Sequence, residues 1–319
     1  MVARFWYRNR SYPIGIKKLS GEKKATVSFA LDISSLSLKA GKAKIELKAF
    51  DRSIWSNSSS IEEELVLDFL TPEVERISHY HNAYLGGAEP IIYRAKDKNL
   101  TDSGVLVEDK LFSGYALRSY NKKLRSPNTY LGFYIVNDQQ KIDQISPLLF
   151  AEDIAKNMQK KSFSNRVSNR RRHQKTQKCN NECFEKIKLH LNSSNINQKT
   201  FDLELNKLRN KLNSILQSTS AEPRYWDVAF SAPKGVLKSN FGDSVNFFHS
   251  ETEDAKLFSY QSQGLTMATN PDQEIATLAK GKVIFTGSLP VIGQSIIVNH
   301  GFGVSSLYGS LSSLSLIHI

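Results

Sequence analysis

Glycine breaks the last third of the chain into apolar runs too short to be helices. Gly235, Gly242, Gly281, Gly293, Gly301 and Gly303 lie between Val236-Leu237, Lys282-Val283-Ile284-Phe285, Ser295-Ile296-Ile297-Val298 and Val304-Ser305-Ser306-Leu307-Tyr308. Runs of this length cannot complete the roughly three turns of an ordinary helix, but they suit short strands joined by tight hairpins. The segment after Trp226 is therefore expected to be a compact all-β domain.

Upstream the texture is similar. Ala25-Thr26-Val27-Ser28-Phe29-Ala30-Leu31, Ala43-Lys44-Ile45-Glu46-Leu47-Lys48-Ala49 and Glu64-Leu65-Val66-Leu67-Asp68 alternate with a period of two, which predicts the antiparallel strands of an Ig-like β-sandwich over residues 1–71. A second β-rich unit, residues 72–146, follows the break at Pro72. Its strands are expected at Ile91-Ile92-Tyr93-Arg94-Ala95, Gly104-Val105-Leu106-Val107 and Tyr130-Leu131-Gly132-Phe133-Tyr134-Ile135-Val136, with turns at Gly86-Gly87 and Gly114. Near Ser146-Pro147 glycine disappears and helical spacing takes over. Leu203, Leu205, Leu208, Leu212, Ile215 and Leu216 recur at threes and fours, so residues 200–217 read as an amphipathic helix. Residues 162–181, rich in Ser, Asn, Arg and Lys, are expected to be loose. This makes 147–222 a helical basic connector and 223–319 the final domain of a mainly β chain. With 319 residues, 40% of them apolar, the chain can build several cores.

The formal charge of +12 suits a polyanion, whether nucleic acid, anionic lipid or an acidic wall polymer, and charge alone does not choose among them. Much of the excess sits between Lys160 and Lys188, where Arg170, Arg171, Arg172, Lys175 and Lys178 crowd together; the plainest explanation is a solvated basic linker. No apolar run approaches the roughly 20 residues that span a bilayer. The opening Met1-Val2-Ala3-Arg4-Phe5-Trp6-Tyr7-Arg8 is charged but has no apolar h-region, so it does not read as a secretory signal. Either the protein stays in the cytosol or its natural start lies further upstream. Cys179 and Cys183, four apart, form neither a CxxC redox pair nor half of a convincing zinc site. On a helix they would share a face as two surface thiols, with a disulfide as the alternative in an oxidising compartment.

Three blocks near the C-terminus together resemble the lysostaphin and LytM-type zinc endopeptidases that hydrolyse peptidoglycan. They are Gly281-Lys282-Val283-Ile284-Phe285-Thr286-Gly287, then Gly293-Gln294-Ser295-Ile296-Ile297-Val298-Asn299-His300-Gly301-Phe302-Gly303, then Leu307-Tyr308-Gly309-Ser310-Leu311-Ser312-Ser313-Leu314. The family's wording is G-K-V-x-x-x-G, G-N-x-V-x-I-D-H-G-x-G and Y-x-H-L-S-x-I. The resemblance spans about residues 240–316. Looser phrases are similar to the large envelope-anchored branch with an N-terminal β-sandwich: Leu38-Lys39-Ala40-Gly41-Lys42-Ala43, Phe50-Asp51-Arg52-Ser53-Ile54-Trp55, His81 with Gly86-Gly87-Ala88-Glu89, Ser103-Gly104-Val105-Leu106-Val107 and Asn206-Lys207-Leu208-Arg209. The resemblance implies the periplasmic side of a bacterial cell envelope, with peptidoglycan or envelope proteins as partners rather than nucleic acid. It leaves room for a membrane anchor upstream of Met1.

In that family a catalytic zinc takes three protein ligands and activates a water in the fourth position. Two ligands come from an H-x-G-x-D motif, which aligns here with Ser262-Gln263-Gly264-Leu265-Thr266-Met267-Ala268, so that Ser262 replaces the His and Thr266 the Asp. Ser310 stands where Y-x-H-L-S has its catalytic His, and the distal H-x-H that supplies the third ligand is absent after it. Hydroxyls are weak zinc ligands at neutral pH, so no cofactor is expected and the resemblance implies a degenerate, inactive member, with an active zinc endopeptidase as the alternative. The retained framework is Gly264, Gly281, Gly293, His300, Gly301, Gly303 and Tyr308. His300 reads as a turn-stabilising histidine; His249 with Glu253 is a weak substitute metal pair. The terminal Leu314-Ser315-Leu316-Ile317-His318-Ile319 resembles the in-frame translation of a sequencing-library adapter, which would make the domain incomplete, with further strands in the natural protein.

Overall fold

The computed structural model describes residues 1–18, 26–32, 36–51, 57–117, 127–137, 142, 145–191, 193–217, 224–227, 229–250, 256–270 and 273–313. Ala25, Arg52 to Trp55, Glu222, Glu253 and the tail from Leu314 to Ile319 lie outside these. The described chain is mainly β. Its strands are β1 (Val2–Tyr7), β2 (Arg10–Ile16), β3 (Gly41–Phe50), β4 (Ser58–Leu67), β5 (Glu73–Arg76), β6 (Asn82–Tyr84), β7 (Ala88–Lys96) and β8 (Leu100–Val107). Then come β9 (Lys110–Ser113), β10 (Tyr115–Ala116), β11 (Thr129–Ile135), β12 (Leu148–Asp153), β13 (Met158–Ser162), β14 (Arg166–Ser168) and β15 (Gln174–Cys179). Two helices, α1 (Asn181–Leu191) and α2 (Gln198–Gln217), precede β16 (Val236–Ser239), β17 (Ser244–His249), β18 (Lys256–Gln261), β19 (Thr266–Ala268), β20 (Lys282–Leu289), β21 (Gly293–Gly301) and β22 (Val304–Tyr308). No helix among the described residues is long and apolar enough to cross a membrane.

The chain divides into two compact units. The first comprises residues 1–79, 91–113 and 146–164. Its N-terminal part is a four-stranded antiparallel sheet in the order β2-β1-β3-β4. Alternation along β1 buries Ala3, Phe5 and Tyr7, and Phe5 and Tyr7 form a core with Ala43. The Tyr7 hydroxyl stays satisfied at the edge of that core by donating to the Lys39 carbonyl at 2.9 Å. Residues 26–31, expected as a strand, take no strand pairing, although Leu31 still packs on this core. A second sheet runs β13-β12-β8-β9, with Leu149, Ala151 and Val105 fully buried. Here the structure departs from the expected helical connector. Residues 148–162 form a hairpin whose first strand pairs with β8, Leu149 opposite Val105. A short apolar run such as Leu148-Leu149-Phe150-Ala151 does not by itself distinguish helix from strand, and pairing with β8 decides it.

The second unit comprises residues 80–90, 114–145 and 165–319. Residues 166–168 and 174–179, expected to be loose, are strands, because each lies parallel to a distant partner: β14 on β6 and β15 on β17. α2 begins at a reciprocal cap in which Thr200 N–H donates to Asn197 Oδ1 and Asn197 N–H to Thr200 Oγ1, both at 3.0 Å. Its apolar face, Phe201, Leu205, Leu208, Leu212 and Ile215, follows the anticipated spacing. Leu208 packs with Leu289 and Ile297 of the C-terminal sheet, and Phe201 stacks on Phe258 at 4.5 Å. Leu203 and Leu216 turn outward, 54% and 38% exposed. The cysteines are not two thiols on one helix. Cys179 ends β15, fully buried, and is disulfide-bonded to Cys183 in the first turn of α1.

Candidate functional site

The C-terminal sheet, in the order β20-β21-β22, carries Gly293, His300, Gly301 and Tyr308, with Gly281 just before β20 and Gly303 in the β21–β22 turn, while Gly264 lies outside it, between β18 and β19. β21 and β22 pair as anticipated, Ile296 opposite Tyr308, Ile297 opposite Leu307 and Val298 opposite Ser306. Gly301, Phe302 and Gly303 close the turn, all with positive φ. Gly281 is demanded by a close approach: a Cβ there would lie 2.6 Å from the Asn299 carbonyl oxygen and 2.8 Å from His300 Nδ1. Gly264, by contrast, has open space around it, so packing does not require it.

His300 does more than stabilise a turn. Its ring is fully buried, with Nδ1 2.8 Å from the Lys280 carbonyl and Nε2 2.8 Å from Ser306 Oγ. A carbonyl only accepts, so Nδ1 carries the proton. Ser306 Oγ donates to the Tyr308 hydroxyl at 3.1 Å. Tyr308 in turn accepts Leu278 N–H at 2.8 Å. The result is a chain of hydrogen bonds crossing from the loop before β20 to β22, with both imidazole nitrogens engaged. Phe230 packs edge-on against the ring at 5.0 Å.

The positions that the family resemblance assigns to ligands lie in a bend and a short strand. Ser262 is buried, and its hydroxyl donates to the Gly264 carbonyl at 2.9 Å. Its backbone is bridged to the preceding turn, since Gly242 N–H donates to the Ser262 carbonyl and Ser262 N–H to the Asp243 carbonyl. Thr266 opens β19 and is exposed, opposite Ser239 of β16. Ser310 is exposed just beyond β22, and its N–H donates to the Ile292 carbonyl at 2.6 Å. These three side chains do not fit a zinc ion: none is anionic or an imidazole, and the buried one is engaged within its own bend. Among the described residues no three His, Cys, Asp or Glu side chains gather as a metal would need. His249 packs edge-on against Phe184 at 5.0 Å, and its proposed partner Glu253 is outside the described residues.

Asp243 is a residue the sequence reading passed over. It is 1% exposed, and its carboxylate accepts the Asn240 N–H and the His173 N–H, both at 2.9 Å. Those backbone hydrogen bonds hold its carboxyl below the usual carboxylate range; burial works against them, and the nearby His173 ring, 3.5 Å from Oδ1, adds to them. The local signal was the Asn240-Phe241-Gly242-Asp243 turn ahead of an apolar run, but the His173 partner has no sequence signature.

Residues 260–318 match the peptidase family M23, overlapping the span that the sequence blocks marked. No curated protein matches the chain. The match covers the bend with Ser262, the strand with Thr266, the His300 chain of hydrogen bonds and Ser310, so the geometry and the comparison concern the same stretch. Residues 260–318 are thus similar to the peptidase family M23, of the LytM and lysostaphin type.

Proposed function

We propose that this chain is a non-catalytic member of the peptidoglycan peptidases, one that binds or regulates at peptidoglycan in the bacterial cell envelope. The observation that carries this reading is the Ser262 hydroxyl, which is buried at the first ligand position and donates to the Gly264 carbonyl of its own bend. A zinc ligand needs a lone pair free to face the metal and is ordinarily a thiolate, imidazole or carboxylate. Thr266 supplies another neutral hydroxyl, and Ser310 has no imidazole with which to move a proton. A retained binding role is supported by the close packing around Gly281 and by the His300 chain of hydrogen bonds, which keep the sheet in shape without metal.

The test is elemental analysis of the purified chain together with incubation on isolated cell-wall sacculi. Less than stoichiometric zinc is expected, with no release of soluble wall fragments and with co-sedimentation unchanged by chelator. One tightly held zinc together with digestion of the wall would overturn the reading in favour of an active zinc endopeptidase.

A further inference from the structure

The basic stretch of the sequence runs into a cleft beside the degenerate ligand positions. Lys175 on β15, Leu237, Lys238 and Ser239 on β16, and Asp243 with His173 line a space of about 130 Å³. Ser239 pairs with Thr266 across β16 and β19, and Ser262 shares backbone hydrogen bonds with Gly242 and Asp243. Beside the positions aligned with the family's ligands, this cleft presents two lysines. Neither Lys175 nor Lys238 takes part in an ion pair among the described residues. The one carboxylate lining the cleft, Asp243, is buried, and both its oxygens already accept backbone N–H groups, so the balance of charge facing the space is positive.

We propose that this cleft binds the free carboxylate of a peptide and is where the chain holds the stem peptides of the wall; the second half rests on the function proposed above. The volume is that of a small group, not of a polymer backbone. A phosphate is ordinarily cradled by several backbone N–H groups or by Arg forks. Here two backbone donors of the lining residues, Asn240 N–H and His173 N–H, are occupied by Asp243. Two ammonium groups suffice for one carboxylate, and Leu237 gives an apolar wall for a small side chain beside it.

The test is a calorimetric titration of the full chain with N-acetyl-dialanine as the free acid, with its C-terminal amide, and with inorganic phosphate. The free acid should bind, and the amide and phosphate should bind about tenfold more weakly or not at all. The double variant Lys175→Gln with Lys238→Gln should lose about tenfold in affinity for the free acid without a change in Tm, since both side chains are exposed. Equal binding of the amide, tighter binding of phosphate, or an unchanged double variant would each overturn the carboxylate site. Sedimentation with sacculi separates the two halves. If the double variant loses the dipeptide but still sediments like the parent, the wall is held elsewhere. If the parent binds the dipeptide through these lysines but never sediments, the carboxylate site stands and the wall-binding function falls.

Discussion

Asp243 accepts the backbone N–H of His173 at 2.9 Å, across a sequence separation of 70 residues. The bond fixes the start of β15 against the entry to β17, a parallel pairing that no tight turn could enforce. One buried carboxylate thus anchors the basic stretch to the segment holding the ligand-position residues.

Acid should loosen this anchor in a defined direction. Because the Asp243 pKa in the folded chain lies below its unfolded value of about 3.9, its contribution is complete above that pH and is lost as pH falls through the folded pKa. Thermal melts of the parent should therefore lose stability below about pH 4, and in Asp243→Asn that component of the acid dependence should be missing. At pH 7 the variant should be less stable by about 1–3 kcal/mol, because a neutral amide replaces a charged acceptor of two backbone N–H groups.

Replacing Gly281 tests the close approach behind His300. Gly281→Ala puts a methyl group 2.6 Å from the Asn299 carbonyl oxygen, and the strand must shift to admit it. The expected cost is about 1–3 kcal/mol, read from chemical denaturation followed by a probe in the C-terminal sheet. Gly264→Ala, with open space around the glycine, should cost far less in the same assay.

The hydrogen-bond chain through His300 should behave as a unit. His300→Phe removes the imidazole partner of the Lys280 carbonyl and of the Ser306 hydroxyl, a loss of about 1–3 kcal/mol, while Tyr308→Phe should cost about 1 kcal/mol. A double variant much less destabilised than the sum would show the coupling. Hydrogen exchange at the β21 and β22 amides is the measurement.

Restoring ligands should restore metal affinity. The triple variant Ser262→His, Thr266→Asp and Ser310→His should bind zinc more tightly than the parent in a competition titration with a chromogenic chelator. The bend and the β16–β19 pairing already hold the first two positions. Equal zinc affinity in parent and variant would show that the alignment of Ser262 and Thr266 with the family's ligands is wrong.

The β21–β22 hairpin was legible from the sequence because glycine punctuation and two-residue alternation are local, and a hairpin forms from neighbours. The α2 helix was legible for the same reason, since its apolar spacing needs no partner to be seen. That residues 262 and 266 are Ser and Thr, not His and Asp, is likewise a matter of residue identity alone. The strands at residues 148–153 and 174–179 were not legible, because a short apolar run and a polar window alike become strands only when β8 and β17 offer their edges. Tertiary structure alone also decided that Cys179 lies at a strand end within reach of Cys183, that His300 has both ring nitrogens engaged, and that Asp243 meets His173. Each depends on the distance between segments remote in sequence or on the direction of one side chain, and neither is written in the order of residues until long-range pairing has set the backbone.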